Sequence, residues 1–160
     1  MIGSVVTTDE ASGSGDICAS ILVALPGWFG IPEAVATYVE TCDHTPCVVA
    51  SNESGFVGLL SLRVHNPYAA EVWLMAVLPQ FHRQGIGRAL LQHAERALSD
   101  SGVEYLQVKT LSSARLDDGY ERTRAFYLAY GFRPLEEFPT LWDPQSPALM
   151  MVKSVPRSIA

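Results

Sequence analysis

The chain has 160 residues, 48% of them apolar, which is near the common size for one domain and enough to bury a sizeable core. Eleven basic against 17 acidic residues give a formal charge of −6, and no basic run occurs anywhere, which argues against a nucleic-acid partner and favours small-molecule chemistry. No Lys or Arg precedes Arg63, and the apolar run at 21–25 is far too short to span a bilayer, so no signal peptide or membrane anchor is expected and the protein is assigned to the cytoplasm.

Residues 1–15, rich in Ser, Thr and Gly, are expected to be a flexible segment ahead of a single domain over 16–160. Residues 31–41 read as a short helix and 46–51 as a strand. Between them, Cys42-Asp43-His44-Thr45-Pro46-Cys47 offers three soft ligands without an obvious fourth, so no metal site is expected. With Cys18 the cysteine count is odd and carries no disulfide framework, as for free thiols in a reducing compartment. Asn52-Glu53-Ser54-Gly55 turns the chain into a second strand, 56–65, which should pair with the first as a hairpin. A third strand, 68–78, is closed by Pro79. A helix over about 86–99 ends at the break Ser101-Gly102, and a strand follows over 103–111. Residues 112–119 read as a polar loop and 120–130 as a helix stopped by Gly131. Residues 132–138 and 148–152 then pair across a proline-rich loop. This order is an α+β pattern rather than a regular βαβ alternation.

The junction after the third strand carries the chemistry: Val77-Leu78-Pro79-Gln80-Phe81-His82-Arg83-Gln84-Gly85-Ile86-Gly87-Arg88-Ala89-Leu90-Leu91. The first turn of a helix has N–H groups without intrahelical partners, and the peptide dipoles concentrate positive charge there. Gly85 and Gly87 lack Cβ atoms, so an anion can approach the amides of residues 84–88, and Arg83 and Arg88 add formal charge beside it. A pyrophosphate is the expected ligand. Leu90, Leu91, Ala94, Ala97 and Leu98 fall on one face, which anchors the helix. A dinucleotide fingerprint would need a third glycine at Leu90, and a Walker A loop would need Gly-Lys-Ser/Thr at Gly87-Arg88-Ala89. Neither fits.

The hexapeptide His82-Arg83-Gln84-Gly85-Ile86-Gly87 resembles the Gln/Arg-x-x-Gly-x-Gly/Ala acetyl-CoA motif of the GCN5-related N-acetyltransferase (GNAT) superfamily, with His82 where Gln or Arg is usual. A second match lies downstream, where Thr123-Arg124-Ala125-Phe126-Tyr127-Leu128-Ala129-Tyr130-Gly131-Phe132 is similar to the family's helix ending in Phe-Tyr-x-x-x-Gly-Phe. The resemblance implies an α/β/α layered fold with a mixed, mostly antiparallel sheet whose strands 4 and 5 splay apart to admit the pantetheine arm. It implies acetyl-CoA as cofactor, the backbone of Met75, Ala76 and Val77 on the pantetheine and acetyl carbonyl, and the turn His82, Arg83, Gln84, Gly85, Ile86, Gly87 and Arg88 on the pyrophosphate. Tyr120, standing where the family often has Asn, and Thr123, where it often has Ala, are implied to lie near the cofactor.

Acetyl transfer needs an acceptor for the amine proton and a donor or stabiliser for the leaving thiolate. By resemblance Tyr127 is the candidate for the thiolate, and Glu71, at the head of Ala70-Glu71-Val72-Trp73-Leu74-Met75, is the candidate base, directly or through water. Strand alternation puts Glu71 on the face of Trp73 and Met75, and a desolvated carboxylate there is expected to have a raised pKa. A solvated strand-edge glutamate beside Tyr68 is the alternative. Acceptor contacts are implied for Trp28, Phe29 and Tyr38, with Trp73 and the late-loop Trp142, although Trp28 and Phe29 are equally readable as a packed turn. Aromatic walls with Glu33, Glu40 and Glu71 suit a cationic amine. Lys109 on the fifth strand reads as a site charge or an ordinary surface lysine, the latter being favoured, and His44, His65 and His93 read as surface or turn residues without a hydrolase arrangement. The expected activity is transfer of acetyl to a primary amine of a small molecule. A non-catalytic acyl-CoA sensor and a protein or peptide acetyltransferase are the alternatives, and the pairing of Tyr127 with Glu71 favours catalysis over the sensor. The resemblance leaves a homodimer open.

Overall fold

Runs of alternating or continuous apolar residues form the strands, and Gly, Pro and Asx turns separate them. In chain order these are β1 (Thr7–Ala11), α1 (Gly15–Leu22), α2 (Pro32–His44), β2 (Cys47–Asn52), β3 (Gly55–Asn66), β4 (Ala69–Val77), α3 (Ile86–Asp100), β5 (Tyr105–Leu111), α4 (Asp118–Tyr130), β6 (Arg133–Asp143) and β7 (Ser146–Ser154), with a 3₁₀ turn at Pro79–Phe81. The computed structural model describes residues 6–157, and among these the strand order is β1-β2-β3-β4-β5-β7-β6. Pairing is antiparallel for β1 with β2, β2 with β3, β5 with β7 and β6 with β7. It is parallel for β4 with β5. That parallel ladder joins Ala69 to Tyr105 and ends with Val72 opposite Val108, although β4 runs on to Val77 and β5 to Leu111. The mixed, mostly antiparallel sheet is present as expected, with its parallel β4–β5 ladder ending at Val72 and Val108.

The chain divides into two compact units. The first comprises residues up to Leu62 with Trp73–Ala97. Its core gathers Cys18, Ile21 and Leu22 of α1, Cys42 of α2, Cys47 and Val49 of β2, Leu59 of β3, and Leu74 and Ala76 of β4. All three cysteines are buried and free. Gly58 is what lets α3 dock in this unit. A Cβ built there would lie 3.2 Å from both Ile86 and Leu90 side chains and 3.3 Å from the Ala76 carbonyl oxygen. The second unit comprises Arg63–Val72 and the chain from Leu98 onward. Leu106, Val108, Leu111, Tyr127, Phe132, Ala148 and Met151 are buried within it.

Two sequence expectations need correction here. Part of 1–15, expected to be flexible, is the strand β1, paired from Thr7 opposite Ser51 to Ala11 opposite Cys47; β-branched Thr7 and Thr8 suit a ladder whose hydrogen bonds come entirely from a distant segment. Residues 1–5 lie outside the described residues. The proline-rich loop between the last two strands shrinks to a tight turn at 144–145, because Asp143 Oδ1 accepts from Gln145 N at 2.8 Å and Asp143 pairs with Ser146. Pro134 and Pro139 are tolerated in β6 because it is the last strand of the sheet, where a missing N–H need not break a ladder.

Candidate active site

In the first unit the strand-to-helix junction is a short sequence of forced turns. Pro79 closes β4, and Leu78 N donates to Val57 O at 2.9 Å, pinning the exit of the strand. Arg83 has φ 62° and Gly85 φ 80°, and Arg83 is the one non-glycine with positive φ among the described residues. Such alternation turns successive N–H groups toward one concave side, the geometry of an anion-binding nest. Ala89 N donates to Gly85 O at 3.0 Å, so the helix begins immediately after the glycine. Ile86 is buried while Arg83, Gln84, Gly85 and Arg88 are exposed, so one apolar side chain anchors a turn whose polar rim faces water. A Cβ at Gly85 would meet nothing within 4 Å, and its glycine is required by φ rather than by space.

His82, the departure from the usual spelling, has a definite structural task. Its Nε2 lies 2.7 Å from Val77 O, and because a carbonyl only accepts, the imidazole carries its hydrogen on Nε2. Its ring stands edge-on to Trp28 with centroids 6.0 Å apart. His82 thus ties the turn ahead of α3 back to the end of β4.

Three of the aromatic residues expected to contact an acceptor, Phe29, Tyr38 and Trp73, form one connected group in this unit. Phe29 and Tyr38 meet at 5.9 Å, Tyr38 and Trp73 at 6.4 Å, both edge-to-face. Trp28, Phe29, Tyr38 and Trp73 are all half-buried and packed against the core cluster, so core packing and a partly open aromatic wall are the same feature. Glu33 and Glu40 on α2 are exposed.

In the second unit, Glu71 is only 3% exposed and its carboxylate is surrounded by donors. Oε1 lies 2.8 Å from His65 Nε2, 2.9 Å from Gln107 Nε2 and 3.2 Å from Lys109 Nζ; Oε2 lies 3.4 Å from Lys109 Nζ. Burial alone raises its pKa, but the Gln107 and His65 hydrogen bonds and the Lys109 charge outweigh burial and hold it below its ordinary value. The expectation of a raised pKa is overturned for that reason. Sequence reading favoured the surface over the site for Lys109 and read His65 as a surface or turn residue, and so did not foresee their contacts with Glu71. The signal was available for β5: Glu71 pairs directly with Gln107, and alternation returns Lys109 to the same face. For His65 it was the turn after β3, where Asn66 Oδ1 accepts from Tyr68 N and Ala69 N at 2.9 and 3.1 Å and folds the hairpin back on itself.

Tyr127 lies on α4, which Asp117 caps by accepting from Tyr120 N at 3.0 Å and which Gly131 ends at φ 123°. Phe132 N returns to Tyr127 O at 2.9 Å, closing the helix as expected of the glycine. Arg124 Nη1 donates to Leu111 O at 2.6 Å and fastens α4 to the end of β5. Tyr127 is 5% exposed, with Phe126 and Phe132 rings edge-on at 5.4 and 5.3 Å. Burial, with a smaller contribution from Tyr120, pushes its phenol well above its ordinary pKa, so it keeps its hydrogen throughout the neutral range. Tyr120 and Thr123 are half-buried on the same helix, and Thr123 Oγ1 donates to Gly119 O at 3.1 Å. Trp142 stands on β6, 49% exposed.

Comparison with known proteins adds independent findings. Residues 43–134 match the family model described as an acetyltransferase (GNAT) domain, more than half of the chain. An uncharacterised N-acetyltransferase of Chlorobaculum tepidum is 30% identical over 89 residues, 56% of this chain and 50% of that protein, so the match spans half the length of that relative. A GNAT-family acetyltransferase structure from Desulfovibrio desulfuricans superposes with a TM-score of 0.83 at 18% identity, covering 95% of this chain and 100% of the other. A GNAT-family structure from Elizabethkingia anophelis with acetyl-CoA bound gives 0.71 at 17% identity, covering 93% and 97%.

Proposed function

Because the chain belongs to the GNAT acetyltransferase family, we propose that it is an acetyl-CoA-dependent N-acetyltransferase acting on a primary amine of a small molecule. The observation that carries this reading is the junction after β4. The backbone at Arg83 and Gly85 is held at positive φ just ahead of a helix whose first N–H groups need an external acceptor, with arginine side chains on either side. A diphosphate fits this cradle by charge and by the absence of a Cβ at Gly85 and Gly87. Met75, Ala76 and Val77 lie on the part of β4 beyond its ladder with β5, which suits backbone hydrogen bonding to an amide-bearing arm.

Attack by the amine on the thioester carbon forms the N–C bond and breaks the C–S bond, so one proton must leave nitrogen and the sulfur must be neutralised. Tyr127, kept protonated by burial, donates its hydrogen to the departing sulfur. The carboxylate of Glu71 anchors the basic end of the reaction, accepting the amine proton directly, through water or through a hydrogen-bonded neighbour. The half-buried ring group of Trp28, Phe29, Tyr38 and Trp73, with Glu33 and Glu40 nearby in sequence, suits a cationic acceptor.

The test is release of free thiol from acetyl-CoA in the presence of a pool of amines, alongside calorimetric binding of acetyl-CoA. Acceptor-dependent release is expected, and Tyr127→Phe should lower kcat by about 10²-fold while leaving acetyl-CoA affinity within about twofold. Binding without thiol release across a broad pool, or a Tyr127→Phe variant with unchanged turnover, would remove this mechanism.

A further inference from the structure

The hydrogen bonds around Glu71 contain a directional constraint. An ionised carboxylate can only accept, so the hydrogen in the 2.8 Å contact between Glu71 Oε1 and His65 Nε2 must sit on His65. Gln107 Nε2, 3.4 Å from the same ring nitrogen, contributes only donors and leaves that tautomer in place. A neutral His65 with its hydrogen on Nε2 carries its lone pair on Nδ1. No hydrogen bond occupies Nδ1 among the described residues, and the His65 side chain is 34% exposed while that of Glu71 is 4% exposed. The carboxylate itself is poorly suited to collecting a proton: one oxygen already receives three donors and the other faces Lys109.

We propose that His65 is the group that takes the amine proton, through Nδ1, and that Glu71 is its positioning residue, fixing the tautomer and balancing the charge that forms on the ring. This deepens the acetyltransferase reading above and rests on it. In the balanced step the amine nitrogen bonds to the acetyl carbon as the C–S bond breaks; His65 Nδ1 gains the proton that nitrogen loses, and the sulfur gains the Tyr127 hydrogen. Solvent then carries the proton from His65 back to Tyr127. The arrangement is the carboxylate–imidazole half of a hydrolase triad applied to an amine. The charged groups bearing on the imidazole are Glu71 from β4 and Lys109 from β5, with Arg63 two residues back on β3 itself.

The test uses full-length wild type, His65→Gln and Glu71→Gln, with acetyl-CoA and an amine that the wild type acetylates, followed by thiol release across pH and by calorimetry with acetyl-CoA. For the wild type, kcat should rise with pH along one ionisation. In His65→Gln that limb should vanish and kcat should fall about 10²-fold, with acetyl-CoA affinity and melting temperature unchanged. His65→Ala should recover part of its rate on addition of imidazole. Glu71→Gln, which can still accept from the ring but brings no charge, should displace the limb and lower kcat about tenfold. A His65→Gln enzyme with wild-type kcat and an unchanged pH profile overturns the assignment alone. A wild type that releases no thiol to any amine overturns the acetyltransferase reading, and the assignment with it.

Discussion

A carboxylate with 3% of its surface exposed would by burial alone be driven toward its neutral form, yet Glu71 is held ionised because Gln107, His65 and Lys109 together supply more than burial removes. Its pKa is lower in the folded chain than in the unfolded one, so it contributes stability above the unfolded value near 4.5 and loses that contribution as pH falls through the folded value. Glu71→Gln should therefore destabilise the protein by about 1–3 kcal/mol at pH 7 in urea denaturation, and the gap to wild type should close as the pH is lowered toward 3. A gap that stayed constant with pH would show that the residue acts by shape alone. At this scale the sequence was half legible. The spelling around Glu71 marked it as a candidate base, but its pKa direction depended on partners from β3 and β5 that only turn geometry and strand register bring to it.

Between the residue and the whole lies the placement of α3, because an anion site made of backbone amides is only as well defined as the helix that presents them. Ile86 and Leu90 seat that helix on β3, and Gly58 provides the room. Gly58→Ala puts a methyl group against the Ala76 carbonyl, a backbone atom that cannot swing aside. The expected cost is about 1–3 kcal/mol in urea denaturation, together with several-fold weaker acetyl-CoA binding by calorimetry. Unchanged affinity would mean that the turn holds its shape without this contact. Gly85 and Gly87 announced themselves in the sequence because they punctuate a strand-to-helix junction. Gly58 did not, since a glycine inside an apolar strand reads only as a weak position until the element packed across it is known.

Across the whole molecule the balance is acidic, with a formal charge of −6. A field of that sign raises the local concentration of a cationic acceptor, and salt screens it. For a dicationic amine, kcat/KM should fall about threefold between roughly 20 and 200 mM KCl, while a neutral primary amine analogue should show little change. Equal salt responses for the two acceptors would place recognition in short-range contacts. No helix among the described residues is long and apolar enough to cross a membrane.

The α+β order of elements, the stop at Pro79, the glycine turn into α3 and the Gly131 stop of α4 were determined by the sequence alone, since each rests on interactions between residues close together along the chain. Tertiary structure decided what depends on partners far apart: that Thr7–Ala11 is a strand, which requires β2; that the residues after Phe138 extend β6, which requires the ladder to β7; and that Gln107 and Lys109 reach the carboxylate of Glu71, which requires β4 and β5 in register. A hydrogen bond between residues tens of positions apart leaves no local pattern, because the chain must close on itself before the two groups share a site.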